Sequence, residues 1–187
     1  IKAKGFWRLC VQDWFRNIYL VDEYLISALK NNGILFHFLP DPWSGDFSCP
    51  SEDARKALDL PANKVVFLFY GIGDRRKGLH LIVDGMEKLA SDPRIFLLCA
   101  GTMNHDRSLL KRIDLLEKRG SAKMMNRYLS EEEERFSFCS ADVVLLPYIH
   151  HYGSSGVLSR AAAAGKMVIA SDEGLLAKRI REHRLGF

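Results

Sequence analysis

The sequence predicts an α/β fold in which a doubly wound parallel sheet carries helices on both faces. From Val65 onward, compact apolar runs alternate with amphipathic stretches, the pattern of successive βα units. The first of these runs, Val65 to Tyr70, is continuous rather than alternating, as expected of a strand covered on both faces. The runs sit in a chain of 187 residues that is 48% apolar and 27% charged, the composition of an ordinary globular domain rather than a disordered or fibrous segment.

The elements follow in order. Val65-Val66-Phe67-Leu68-Phe69-Tyr70 is the first strand of the sheet, and Leu79, Ile82, Val83, Met86 and Leu89 recur at helical spacing behind it. Arg94 to Ala100 is the second strand, stopped by Gly101, and Asp106 to Lys118 the next helix. Ala122 to Met125 reads as a short third strand. Ser130 to Ser140 reads as a helix with a Ser N-cap and acids in its first turn, where the dipole favours them. Asp142 to Pro147 is the fourth strand, Ser154 to Ala164 a tightly packed Ala-rich helix closed by Gly165, Met167 to Ser171 the fifth strand, and Leu175 to His183 a last helix. Ahead of these, Phe15 to Lys30 carries a helical pattern ended by Gly33, and Ile34 to Leu39 is a short apolar run. Pro40-Asp41-Pro42-Trp43 reads as a linker, and a short helix is expected around Glu52 to Leu58. The expected division is residues 1–43 and residues 44–187.

Composition removes several functions. Twenty-seven Lys plus Arg against 23 Asp plus Glu give a net charge of +4, too little to argue for nucleic acid, so any basic site is local. Cys10, Cys49, Cys99 and Cys139 form no CxxC pair and have no His at ligand spacing, which argues against a zinc site or disulfide framework and for a reducing, cytoplasmic compartment. No apolar run reaches the ~18 residues of a membrane helix, and no signal peptide opens the chain. The chain starts at Ile1 without Met and stops at Phe187 in what reads as a helix and its C-cap, as a piece of a longer protein does.

Ligands of open parallel sheets collect where strands end and helices begin, because backbone N–H groups and the helix dipole favour anions there. Gly71-Ile72-Gly73-Asp74-Arg75-Arg76-Lys77-Gly78 follows the first strand, with glycines for close backbone approach and Arg75, Arg76 and Lys77 to meet phosphate. It is neither a dinucleotide GxGxxG nor a P-loop, and a glycine turn with solvated cations is the competing reading. His150-His151-Tyr152-Gly153-Ser154-Ser155-Gly156 follows the fourth strand, where small residues leave amides accessible to an oxyanion. Together the loops suggest a diphosphate held between a lysine and a helix N-terminus. Adjacent histidines point in different directions, so His150-His151 is not expected to hold a metal. Glu131 to Glu134 reads as a solvated helix start. Lys178, Arg179, Arg181, His183 and Arg184 read as a solvated basic face, with contact to a membrane surface or polyanion as the second reading.

"YGIGDRRKGLHLI", "SADVVLLPY" and "AAAAGKMVIASDEG", in this order and spacing, resemble the C-terminal half of group 1 (GT4-like) glycosyltransferases of the GT-B fold. The resemblance covers about residues 60 to 187. It implies a Rossmann-like half of a GT-B fold that binds a nucleoside-diphosphate sugar, a UDP- or GDP-sugar, for transfer of a hexosyl group to an acceptor that the sequence does not identify. It also implies retention of configuration, no metal and no cofactor beyond that co-substrate. Residues 1–43 would be the end of an acceptor domain with the interdomain crossing, and the chain alone would be inactive. By the same resemblance Lys77, with Gly71, Arg75 and Arg76, meets the donor diphosphate. Ser154, Ser155 and Gly156 hold the same phosphates, and Arg127, Tyr128 and Leu129 lie beside the base. The chain departs from the family where Ile72 follows the glycine in place of Arg, and where Tyr152 and Arg160 stand at two positions usually held by glutamates. Arg160 falls at the ribose position, and a guanidinium cannot accept a hydroxyl hydrogen bond. These departures keep a second function in view, a non-catalytic module that serves as a scaffold or partner-binding domain. Oligomeric state is not readable from the sequence.

Overall fold

The computed structural model describes residues 15–29, 34–41, 45–89, 91–103 and 106–187. Cys10, Gly33 and the Pro42-Trp43 end of the expected linker lie outside the described residues. The chain divides into two compact units, residues 1–42 and 43–187.

In the first unit, β1 (Asn17–Leu20) pairs in parallel with β2 (Leu35–Phe38), Asn17 opposite Leu35 and Leu20 opposite Phe38, with α1 (Glu23–Ala28) between them in sequence. This corrects the single helix expected over Phe15 to Lys30. Ile18-Tyr19-Leu20 is β-branched and aromatic and favours a strand. Asp22 starts a new element, its carboxylate accepting from the Tyr24 and Leu25 amides at 3.0 Å each. The helical spacing of the apolar residues ran across that boundary.

The second unit holds α2 (Ser51–Ala57), β3 (Val65–Tyr70), α3 (Leu79–Lys88), β4 (Ile95–Gly101), α4 (Arg107–Lys118), β5 (Ala122–Asn126), α5 (Glu131–Ser140), β6 (Val143–Leu146), α6 (Gly156–Ala163), β7 (Met167–Ala170) and α7 (Gly174–His183). The expected α/β class and five strands are present, in a parallel sheet ordered β5-β4-β3-β6-β7. This is a doubly wound order, and β3 and β6 are the neighbours at which the winding reverses. Phe67 lies opposite Val143 and Leu68 opposite Val144, so the carboxyl ends of these strands stand side by side, as expected.

Alternate residues of each central strand feed two cores. Val66, Leu68, Phe96, Leu98, Val144 and Leu146 meet Phe138 of α5, Leu158 of α6 and Ile180 of α7 on one face. Phe69, Leu97 and Cys99 meet Val83 of α3 and Ile113 of α4 on the other. Burial on both sides is why the strands read as unbroken apolar runs. After α7, Arg184 takes a left-handed conformation at φ 53° and the chain turns back beside β7, where the Val168 amide donates to Leu185 and the Phe187 amide to Val168. Among the described residues no helix is long and apolar enough to cross a membrane.

Two polar devices fix the helices around the future site. Ser130 and Glu133 form a reciprocal capping box at the start of α5, the Glu133 amide donating to Ser130 Oγ at 3.2 Å and the Ser130 amide to Glu133 Oε2 at 3.0 Å. Ser130→Ala is expected to lower stability by about 1 kcal/mol in urea unfolding, the usual loss for an N-cap. A loss near zero would show that Glu133 and Arg127 hold that end alone. The second device is Arg55 on α2, which bonds the Ser140, Ala62 and Lys64 carbonyls and the Asp142 carboxylate.

Candidate functional site

The loop after β3 turns sharply across the end of the sheet. Gly71 has φ +107°, a conformation that residues with a side chain rarely adopt, and the Lys77 Nζ folds back so far onto the strand end that a Cβ placed on Gly71 would stand 2.7 Å from it and push the amine aside. The Gly71 amide donates to Ala100 at 2.8 Å and the Gly73 amide to Thr102 at 2.9 Å, which ties the loop to the end of β4. The Lys77 amide donates to Asp74 Oδ1 at 2.7 Å and closes the turn.

The loop after β6 is spliced onto it. The Ile149 amide donates to the Arg76 carbonyl at 2.7 Å. Gly78, at φ +73°, lies so close that an added Cβ would reach 2.0 Å from the Pro147 carbonyl oxygen, which admits no other residue without moving one loop. The Lys77 amine stands 5.6 Å from the centre of the Tyr148 ring, and the Tyr148 hydroxyl lies 3.4 Å from Ser155 Oγ at the start of α6. His151 Nε2 contacts the Ser154 carbonyl at 2.9 Å, and its other nitrogen faces Arg76 at 3.5 Å. The two loops singled out in the sequence therefore form one continuous surface at the reversal of the sheet.

Beside this surface lies a cavity of about 370 Å³, between the ends of β3 and β4 and the segment leading into α5. Gly71, Ile72 and Thr102 line one side, and Arg127, Tyr128, Leu129 and Glu134 another. Tyr128 is 93% exposed and offers a ring face to solvent, whereas Leu129 is buried in the core. Arg127 is drawn to Glu133, and that pairing with the Ser130 amide holds the Glu133 carboxyl down at about 2.

Of the residues expected to meet a diphosphate, Gly71, Lys77, Ser154, Ser155 and Gly156 lie on the spliced loops. Arg76 turns towards Asp74, 3.7 Å away, and His151, while the Arg75 side chain is exposed. Of those expected beside a base, Arg127, Tyr128 and Leu129 do line the cavity. Arg160 does not stand open: its Nε donates to Glu134 Oε1 at 2.7 Å and its Nη1 to the Gly156 carbonyl at 3.1 Å. Tyr152, the other substituted position, is 67% exposed.

The sequence reading missed Glu134 and Tyr70. Glu134 Oε2 accepts the Tyr70 hydroxyl while Oε1 accepts Arg160, so the carboxylate is clamped by two donors at the rim of the cavity. The run of four glutamates looks solvated as a block. A signal was nevertheless available, because Glu134 precedes the fully buried Phe138 by four residues and so shares its inward face of α5. Burial, then the bond to Glu134, pushes the Tyr70 hydroxyl well above its ordinary range, so it stays a donor at all working pH values. Burial also lowers Lys77 from the usual lysine range. Arg76 adds to this and Asp74 opposes it. Among the described residues Lys77 has no carboxylate within ion-pairing distance. It is a partly desolvated cation beside the start of α6.

The family described as glycosyl transferases group 1 matches residues 50–187. Among solved structures, sucrose-phosphate synthase from Thermosynechococcus elongatus aligns with 100% of this chain and 48% of its own at 22% identity and a TM-score of 0.72. HepE from Anabaena, in complex with UDP, aligns with 92% of this chain and 49% of its own at 15% identity and a TM-score of 0.70. WaaG, a glycosyltransferase involved in lipopolysaccharide biosynthesis, aligns with 90% of this chain and 48% of its own at 18% identity and a TM-score of 0.70. At these identities the likeness is one of fold, and the chain spans about half the length of each. No curated protein sequence matches it significantly.

Proposed function

Because the chain belongs to the group 1 glycosyl transferases, we propose that residues 44–187 are the donor-binding half of a two-domain transferase and that residues 1–43 end its acceptor half. The substrate bound here is a nucleoside-diphosphate sugar, from which a hexosyl group passes to an acceptor. The observation that carries this reading is the splice between the Gly71–Gly78 loop and the Pro147–Gly156 loop, which puts Lys77 and the start of α6 on one surface beside a cavity of about 370 Å³. The complex of HepE with UDP supports a nucleoside diphosphate as the ligand class.

The chemistry follows from charge. As the glycosidic bond to the donor phosphate breaks, negative charge grows on the departing diphosphate. Lys77 meets it as a cation already freed of part of its water, and the first-turn amides of α6 meet it with the positive end of the helix dipole. Ser155 does not cap those amides with its hydroxyl. Among the described residues no side chain is placed as a nucleophile, so leaving-group stabilisation is the main catalytic term of the proposal; retention of configuration, with no metal or further cofactor, is taken over from the family resemblance. The acceptor is brought by the other domain, whose closure excludes water, so this chain alone transfers no sugar.

A second reading has its own observation. Tyr152 and Arg160 occupy the positions where the family resemblance implies glutamates, which favours a scaffold module that kept the fold. Calorimetric titration with UDP, GDP, ADP and pyrophosphate separates the two. The transferase reading expects one nucleotide to bind more tightly than pyrophosphate. Absence of binding by all of them would overturn it and leave the scaffold.

A further inference from the structure

Glu134 is out of place as a surface acid. Its side chain keeps 21% of its exposure and that of Arg160 27%, and the carboxylate lines the same cavity as Gly71, whose backbone lies against the Lys77 amine. A nucleoside diphosphate that rests its phosphates on Lys77 and turns its nucleoside into this cavity, where Tyr128 offers a ring face, carries its ribose past Gly71 towards the carboxylate. An ionised carboxylate accepts at about four lone-pair sites. Tyr70 and Arg160 fill two of them, and two remain for a pair of neighbouring hydroxyls.

We propose that Glu134 is the residue that recognises the ribose diol of the donor nucleotide, with Arg160 and Tyr70 as positioning residues that hold its carboxylate at the cavity rim. This rests on the nucleoside-diphosphate reading above. Arg160 is anchored to its own helix through the Gly156 carbonyl, so its Nε presents one fixed donor to α5 from α6. The hydroxyl of Tyr70, at the end of β3, supplies the second from the sheet. The carboxylate is thereby oriented before any ligand arrives, and little side-chain entropy remains to be lost on binding. The acceptor role belongs to α5, not to α6, where a guanidinium occupies the facing position.

The test uses calorimetry with whichever of UDP, GDP and ADP binds the chain most tightly, and with its 2′,3′-dideoxy counterpart. The wild type is expected to prefer the ribose form by about tenfold, the worth of one or two hydrogen bonds to a charged acceptor. Glu134→Gln is expected to weaken the ribose form by about tenfold and to leave the dideoxy form unchanged. Arg160→Met and Tyr70→Phe, which leave the carboxylate present but loosen it, are expected to shrink the preference part of the way, with circular dichroism confirming that each variant is folded. Equal weakening of both forms by Glu134→Gln, or no ribose preference in the wild type, overturns the diol assignment and leaves the donor reading standing. Binding of no nucleoside diphosphate by the wild type overturns the donor reading and this assignment with it.

Discussion

Arg55→Ala is expected to lower the unfolding free energy by about 3 kcal/mol, the low end of the usual cost of removing one partner of a buried ion pair. Arg55 is 9% exposed and joins three parts of the second unit. Its Nε donates to the Ser140 carbonyl at 3.0 Å at the end of α5, its Nη1 to the Ala62 and Lys64 carbonyls at 2.8 and 3.2 Å, and its Nη2 to Asp142 Oδ2 at 2.7 Å. Asp142 Oδ2 also accepts the Val66 amide at 2.7 Å, so the pair fixes the entrance to β3 against that of β6. Truncation strands three carbonyls and a carboxylate. The low end applies because the Asp142 side chain keeps 44% exposure and water can reach it. Arg55→Lys is expected to recover little, since an ammonium on a flexible stem cannot serve this planar set of acceptors. Urea unfolding followed by circular dichroism checks both, and a loss under about 1 kcal/mol for Arg55→Ala would show that α2 is held by apolar packing alone.

Lys77→Ala is expected to weaken nucleoside-diphosphate binding by about 1.5 to 3 kcal/mol, the range for a charge-assisted contact, and to leave the melting temperature unchanged or slightly higher. The two halves of this expectation share one cause. Burial lowers Lys77 below the usual lysine value of about 10.4, so between the lowered and the usual value the unfolded chain binds a proton that the folded chain does not. Stability contributed by this group is therefore least below the lowered pKa and is regained as pH rises through that window. A bound diphosphate has the opposite preference, for the ammonium, so affinity falls as pH climbs through the same window and Lys77→Ala removes that fall. Loss of melting temperature with unchanged affinity would make the lysine structural and remove the first loop from the binding surface.

Periodicity and punctuation carried most of the fold. The central strands β3, β4 and β6 announce themselves because burial on both faces forces continuous apolar runs, whereas the edge strands β5, with Lys123 and Asn126, and β7, with Met167 and Ile169 exposed, carry a weaker signal. Ser130 and Asp106 announce helices because their side chains satisfy first-turn amides. The Phe15 to Lys30 stretch failed because a four-residue strand abutting a short helix mimics one longer period. At the site, the loops were legible from glycine, cations and small residues, since those types answer to local backbone needs. Glu134 was not, because its meaning depends on Tyr70 and Arg160, which lie 64 and 26 residues away in sequence. Arg160 was legible as a departure, but its partner was not: a substitution names the group that is gone and says nothing of the neighbour that meets the new one.

The splice of the Ile149 amide onto the Arg76 carbonyl, backed by the contact of Gly78 with Pro147, bears on motion. The bond and the contact couple the two loops, so the pair is expected to open as one cooperative unit whose amides exchange with solvent together, which hydrogen exchange reads. A ligand that touches only one loop is then expected to slow exchange in both, so that a phosphate on Lys77 would register at the amides of the start of α6.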